Sequence, residues 1–351
     1  MTPLADLLIR RIRATGPITL SDYMVECLLH PKHGYYSTRD PFGARGDFIT
    51  APEISQMFGE LLGLCLAQTW LDQGSPARFT LAELGPGRGT LMADVLRATK
   101  GVPGFRAAAE LVLIEASETL RGVQAKTLAP YAPTWMESVA DLPDQPLFLL
   151  ANEFFDALPI DQFQRGPDGW RQCRVGLSDA ALTLGLSDPV PCPDPRFATD
   201  PMGTVVELCP SAGPIAAHIG GLIRQHGGAA IIIDYGGWRS KGDTLQALRN
   251  HAAESAFANP GQADLTAHVD FEALALAAGP DMCSRLTDQG TLLTKLGIQP
   301  RAARLAAGSS GVALENHLSA TRRLTDPAEM GTLFKTMAIC PPNCPPLPGF
   351  A

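Results

Sequence analysis

No stretch of the chain reaches the about 18 consecutive apolar residues that a helix needs to cross a bilayer, so no membrane span is expected. Lysine and arginine form no dense cluster, and the formal net charge is -8, which removes the usual electrostatic footprint of a nucleic-acid binder. Arg10, Arg11 and Arg13 come closest, but they share an amphipathic helix with Leu4, Leu7, Leu8 and Ile12 and read as its solvated face. None of the eight cysteines belongs to a Cys-x-x-Cys pair. Cys340-Pro-Pro-Asn-Cys344 is the one close pair, and with neither a second pair nor histidines beside it no zinc site is expected. Met1-Thr-Pro-Leu-Ala-Asp6 lacks the basic start and apolar stretch of a secretion signal. Several thiols, such as Cys65 and Cys209, sit in apolar runs. These features predict reduced, mostly buried cysteines in a soluble cytoplasmic protein of bacterial type.

What is present suits a folded enzyme. Hydrophobic residues make up 45% of the 351 positions and charged residues 18%, enough for a sizeable core. Residues 1–75 read as helical, with helices over 4–14 and 21–29. A Gly/Pro/Asp-rich loop follows from His33 to Phe48. Thr50-Ala-Pro-Glu53 then reads as a capping box opening a helix that carries Ile54, Phe58, Leu61, Leu62, Cys65 and Leu66. From residue 79 the period changes. Apolar runs at 79–83, 111–115, 134–136 and 147–151 alternate with helical stretches, the mark of a mainly parallel sheet covered on both faces. Strand-like runs at 162–165, 170–175 and 182–186, separated by turn residues, suit antiparallel hairpins. A strand at 204–208, a helix at 211–226 and a buried strand at 229–235 come next, and helices and loops after them. The expected organisation is a helical segment, 1–75, and an α/β domain, 76–351, with a β insertion near 161–187 and a helical insertion near 240–330.

Three segments carry candidate chemistry. In Glu83-Leu-Gly-Pro-Gly-Arg-Gly89 an acid ends a strand, and Gly85, Gly87 and Gly89 lead into a helix. Glycines let the backbone turn sharply and approach a ligand, although a plain strand-to-helix turn has the same composition. Dinucleotide sites use Gly-x-Gly-x-x-Gly; the Gly-x-Gly-x-Gly spacing after Glu83 suits a zwitterionic ligand end instead. Glu115 closes the next strand at the same sheet edge, where an acid accepts ribose hydroxyls. The strand at 147–151 runs directly into Asn152, Glu153 and Asp156, again at the carboxyl edge. His251, His268 and Asp234-Tyr-Gly-Gly237 are weaker candidates.

The chain resembles the MidA-like methyltransferases over nearly its whole length. The resemblance is carried by His33-Gly-Tyr-Tyr36, Gly46-Asp-Phe-Ile-Thr-Ala-Pro-Glu-Ile-Ser55, Phe58-Gly-Glu60, the glycine segment, Asn152-Glu-Phe-Phe-Asp-Ala-Leu-Pro159, Ile233-Asp-Tyr-Gly236, Asp264-Leu-Thr-Ala-His-Val-Asp-Phe271 and Glu329-Met-Gly-Thr-Leu-Phe-Lys335. It implies a Rossmann-like class I methyltransferase fold with a seven-stranded, mainly parallel sheet. It also implies S-adenosylmethionine as cofactor and N-methylation of an arginine in a protein partner, a respiratory complex I-type subunit. Glu83, Gly85, Gly87, Gly89, Glu115 and Asn152 are then expected at the cofactor, joined by Thr50 and Phe48 from the loop that the resemblance singles out. Glu153 and Asp156 are the expected catalytic acids, holding the guanidinium beside the sulfonium methyl. A small-molecule acceptor, or an assembly factor that binds the cofactor without essential catalysis, are the competing readings.

Overall fold

Phe79–Leu84 (β1) and Leu147–Asn152 (β4) are buried along their entire length, as strands covered on both faces must be. In the computed structural model, which describes residues 1–38 and 50–350, these two strands lie side by side at the centre of the main sheet. Ala109–Ile114 (β2) and Thr134–Met136 (β3) extend it on one side. Gly228–Gly237 (β5), Val269–Asp270 (β6), Thr287–Asp288 (β7) and Phe334–Ile339 (β8) complete it on the other. Among the described residues the order is β7-β8-β5-β4-β1-β2-β3, with β6 paired to the end of β5. The strands β1 to β6 pair in parallel, while β8 runs antiparallel to both β5 and β7. The protein therefore has an α/β fold around a mixed central sheet of eight strands, where seven mainly parallel ones were expected. Parallel pairing brings the carboxyl ends of β1, β2, β4 and β5 to one edge, which is where open α/β sheets bind ligands.

Helices cover both faces. Gln56–Asp72 (α1) and Thr90–Ala98 (α2) pack on one side with Leu292, Leu293 and Leu324. Ala212–His226 (α4) and Phe271–Ala278 (α5) pack on the other; Glu118–Thr127 (α3) follows β2. Close approach explains Gly63: a Cβ there would stand 2.9 Å from the Cα of Val95 on α2. The amino-terminal helices Pro3–Thr15 and Leu20–Leu29 share a third core with Ile160, Val175, Ala247 and Leu265. Residues 161–208 form a separate antiparallel sheet whose hairpins run over Asp161–Arg165, Trp170–Ser178 and Ala181–Val190. Ile18–Thr19 and Val205–Leu208 flank it. No described helix is long and apolar enough to cross a membrane.

Two local expectations are corrected. Thr50 caps the short helix Ala51–Ile54 without any side-chain bond, and Ser55 starts the long helix by accepting from the Met57 amide at 3.3 Å. The Glu53 carboxylate is drawn away instead, to the hydroxyl of Thr90 and, at 3.9 Å, to Arg88. The carboxy-terminal region is not only helices and loops. Gln246–Arg249, Ala252–Glu254 and Asp264–Thr266 make a three-stranded antiparallel sheet. Its two-residue hairpin turn is Asn250-His251, at φ 51° and 60°, the left-handed pair of a primed turn. This places His251 on an exposed turn, remote from any base role. The cysteines are all free, but only Cys27, Cys65 and Cys173 are buried, and Cys192 is exposed.

Candidate active site

The glycine turn is shaped for close approach. Gly85, Gly87 and Gly89 have φ of 58°, 52° and 81°, a region that side chains with a Cβ enter at a cost. A Cβ on Gly85 would stand 3.0 Å from the Phe154 ring. Glu83, buried at the end of β1, accepts from the Met92 amide, while its Oε2 has no partner. Burial pushes this carboxyl up to about 8, with the nearby Glu115 charge adding to the rise.

Glu115 follows β2 directly. Its carboxylate accepts from the Ser117 amide at 2.8 Å and from Gln124 Nε2 at 3.1 Å. Gln124, fully buried on α3, also donates to the carbonyl of Gly87 at 2.8 Å. One side chain thus ties the glycine turn to the acid of the neighbouring strand, a link that sequence reasoning missed. Only the placement of a polar residue on the inner face of α3 hinted at it. Tyr36 was missed too. Its carbonyl accepts from the Ser117 hydroxyl at 2.8 Å, and its own hydroxyl donates to Asp264 at 2.9 Å.

Two cavities meet at the glycine turn. One, of about 310 Å³, is walled by Glu115, Ser117, Ser138, Val139, Phe154 and Tyr36. The other, of about 40 Å³, lies among Thr50, Glu53, Glu83, Thr90 and Asn152. Gly85, Gly87 and Glu153 line both. The larger cavity pairs an apolar wall with the carboxyls of Glu115, Glu137 and Glu153, a lining that a nucleoside fits. The smaller has two buried, unpartnered oxygens, Glu83 Oε2 and Asn152 Oδ1, ready for an ammonium or amide donor. The donor set fits a ligand with an adenosine end and a zwitterionic amino-acid end. Of the expected contacts, Glu83, Gly85, Gly87, Glu115, Asn152 and Thr50 all line one cavity or the other. Gly89 caps α2 one step further on, and Phe48 lies outside the described residues.

Glu153 stands where the cavities join, with φ 52°, a strained value for a non-glycine residue. Its Oε1 accepts from Asn152 Nδ2 at 3.0 Å and from the Ala51 amide at 3.4 Å. Burial, reinforced by the charge of Asp156, pushes its carboxyl up to about 8. Asp156 lines neither cavity. It is buried behind Glu153, with Oδ1 unpartnered and the Tyr235 hydroxyl donating to the carboxylate, and burial lifts it to about 6. Asp234, within β5, holds the intervening turn: its Oδ2 accepts the amides of Phe155 at 3.0 Å and Asp156 at 3.2 Å. Burial raises Asp234 as well, and the charges of Asp156 and Glu153 add to it. Among the described residues none of these acids has a lysine or arginine ion-pair partner, and Glu153 feels only a weak compensating charge from Arg323. His268 sits edge-on to Tyr235, 5.6 Å between ring centres, and burial lowers its pKa; it lines a different cavity.

Two predictions follow from this arrangement. Asp234→Asn puts an amide donor against backbone amides in a site without water access, and stability is expected to fall by about 1–3 kcal/mol in denaturant titration; an unchanged midpoint contradicts the bracing role. Glu83 and Glu153 carry folded pKa values near 8 against an ordinary 4.5, so the native state binds more protons than the unfolded chain between these limits. Their contribution is fully present below pH 4.5 and is lost as pH rises through about 8. The melting temperature of the ligand-free protein should therefore drop over this window, and Glu83→Gln should flatten the drop.

A two-part pocket of this kind, at the carboxyl edge of a largely parallel sheet, defines a nucleoside-cofactor-binding α/β enzyme. The family comparison narrows the class. The chain belongs to the family described as "Putative S-adenosyl-L-methionine-dependent methyltransferase", whose model matches residues 61–286, and is thus an S-adenosylmethionine-dependent methyltransferase. The chain is similar to protein arginine methyltransferase NDUFAF7, mitochondrial, of Bos taurus and of Homo sapiens, each 36% identical over 97% of this chain and 84% of the relative. A Burkholderia thailandensis protein crystallised with S-adenosylhomocysteine superimposes with a TM-score of 0.83 at 29% identity, covering 99% of this chain and 94% of that one. The relatives are named as mitochondrial proteins, which overturns the cytoplasmic, bacterial-type expectation. Reduced thiols are common to any reducing compartment and do not distinguish the two.

Proposed function

We propose that the protein N-methylates an arginine side chain of a protein partner. The observation that carries this reading is the group of Glu153, Asp156 and Asp234 beside the cofactor cavities, three carboxyls without an ion-paired cation among the described residues. A guanidinium is the acceptor whose charge and planar donors answer it. The cofactor, when bound, supplies the electrophilic methyl group. Glu83, Asn152 and the amides of the glycine turn would hold its amino-acid end and Glu115 its ribose, and Thr50 and Phe48 would be further contacts to it. Glu153 would face the acceptor guanidinium, with Asp156 behind it as further negative charge. The names of the arginine-methylating relatives support the acceptor type, and the resemblance points to a respiratory complex I-type subunit. We read the seven-strand path β7-β8-β5-β4-β1-β2-β3 as the class I methyltransferase sheet, with residues 1–75 as a helical segment added in front, residues 161–187 as an insertion, and the insertion near 240–330 interrupted by β7. Calorimetry with S-adenosylmethionine, followed by amino-acid analysis of methylated proteins, tests the reading: methylarginine supports it, and label confined to small molecules overturns it.

A further inference from the structure

A larger cavity, of about 600 Å³, lies between the antiparallel sheet of residues 161–208, the first turn of α4 and the segment 267–274. Nothing in the cofactor site uses it. It nevertheless adjoins that site along two elements. Pro159 lines the cofactor cavity and Ile160, the next residue, lines this cleft. On α4, Gly213 faces the cleft and Ile215 the cofactor cavity. The Ala267 amide, in the cleft wall, donates to the carbonyl of Asp156 at 3.0 Å, so the cleft is braced directly against the turn that carries Glu153 and Asp156.

The chemistry of the walls favours a basic segment. Four carboxylates, Asp161, Asp194, Glu207 and Asp270, face one guanidinium, Arg196. Arg196 answers Asp194 at 2.8 Å and Asp270 at 2.9 Å. Among the described residues Asp161 accepts only from Ser21, and Glu207 only from Gln162 and Thr244, so these two carboxylates meet neutral donors there. Phe155, Phe163, Leu208 and Leu274 supply an apolar floor. A cleft of this size and charge takes a short stretch of extended chain with aliphatic and basic side chains.

We infer that this cleft seats the stretch of the protein substrate that flanks the methylated arginine, an extended segment bearing at least one further basic residue. The inference rests on the arginine-acceptor reading above. Gly213 offers a clean probe, because a Cβ at that position meets nothing within 4 Å. The test measures fluorescence-anisotropy binding of a labelled Gly/Arg decapeptide to protein saturated with S-adenosylhomocysteine, and methyl transfer to the same peptide. Gly213→Arg should weaken peptide binding and raise KM by about tenfold or more through like-charge repulsion, while Gly213→Asp leaves binding as tight or tighter. Binding of S-adenosylhomocysteine should stay within about twofold in both, a reference that separates loss of docking from loss of fold. If the parent methylates the peptide and both variants match it in KM, the cleft assignment is overturned and the function stands. If the parent binds S-adenosylhomocysteine but neither binds nor methylates the peptide, the arginine reading falls, and the cleft assignment falls with it.

Discussion

Glu153→Gln should abolish most turnover, with kcat falling by about 10² to 10³, while S-adenosylmethionine affinity changes by less than about threefold. The substitution keeps the shape of the side chain and an oxygen able to accept from Asn152 Nδ2 and the Ala51 amide, so the αL turn at φ 52° has no new reason to collapse. What it removes is a group at the junction of the two cavities that can ionise against an incoming guanidinium. On the proposed assignment, ground-state cofactor binding draws chiefly on Glu83, Glu115 and the glycine turn, whereas the acceptor guanidinium needs the carboxylate when it is aligned for in-line attack. A retained kcat would remove Glu153 from the chemistry and leave Asp156 as the candidate acid.

The second large effect is expected at Gly87. Valine there must adopt φ near 52°, an outlier for a β-branched residue that costs on the order of 1–3 kcal/mol. It also puts a branched side chain where both cavities meet, and it disturbs the carbonyl that Gln124 grips at 2.8 Å. Calorimetry should show cofactor affinity reduced by about a hundredfold or more, which is about 2.8 kcal/mol. Gly89→Ala is the useful contrast. Its added Cβ would lie 3.3 Å from Leu128 Cδ1, away from both cavities, so stability should suffer more than binding. Equal binding losses at the two positions would deny Gly87 its particular place.

Much of the sheet was readable because its strands are short apolar runs ending in candidate site residues. Glu83, Glu115 and Asn152 each close such a run, and parallel pairing brings all three to one edge. The residues that brace them were not readable. Asp234 looked like the end of another strand, yet it fixes the Phe155–Asp156 turn through two amides, a contact between positions 78 and 79 residues apart. Tyr36 and Gln124 likewise act across the fold, and neither carries a local pattern. The capping box failed at Thr50 because Thr90 and Arg88, beyond the horizon of a four-residue motif, compete for the Glu53 carboxylate. The hairpin around Asn250-His251 carries little local signal, because a primed turn without glycine is only weakly marked in sequence.

Methyl transfer from labelled S-adenosylmethionine into proteins of a lysate that lacks this enzyme, followed by acid hydrolysis and mass spectrometry, tests the central claim most directly. The account predicts label in methylarginine with the parent protein and none above background with Glu153→Gln. Label in lysine, in glutamine or only in small molecules, or equal methylarginine from the variant, would contradict it.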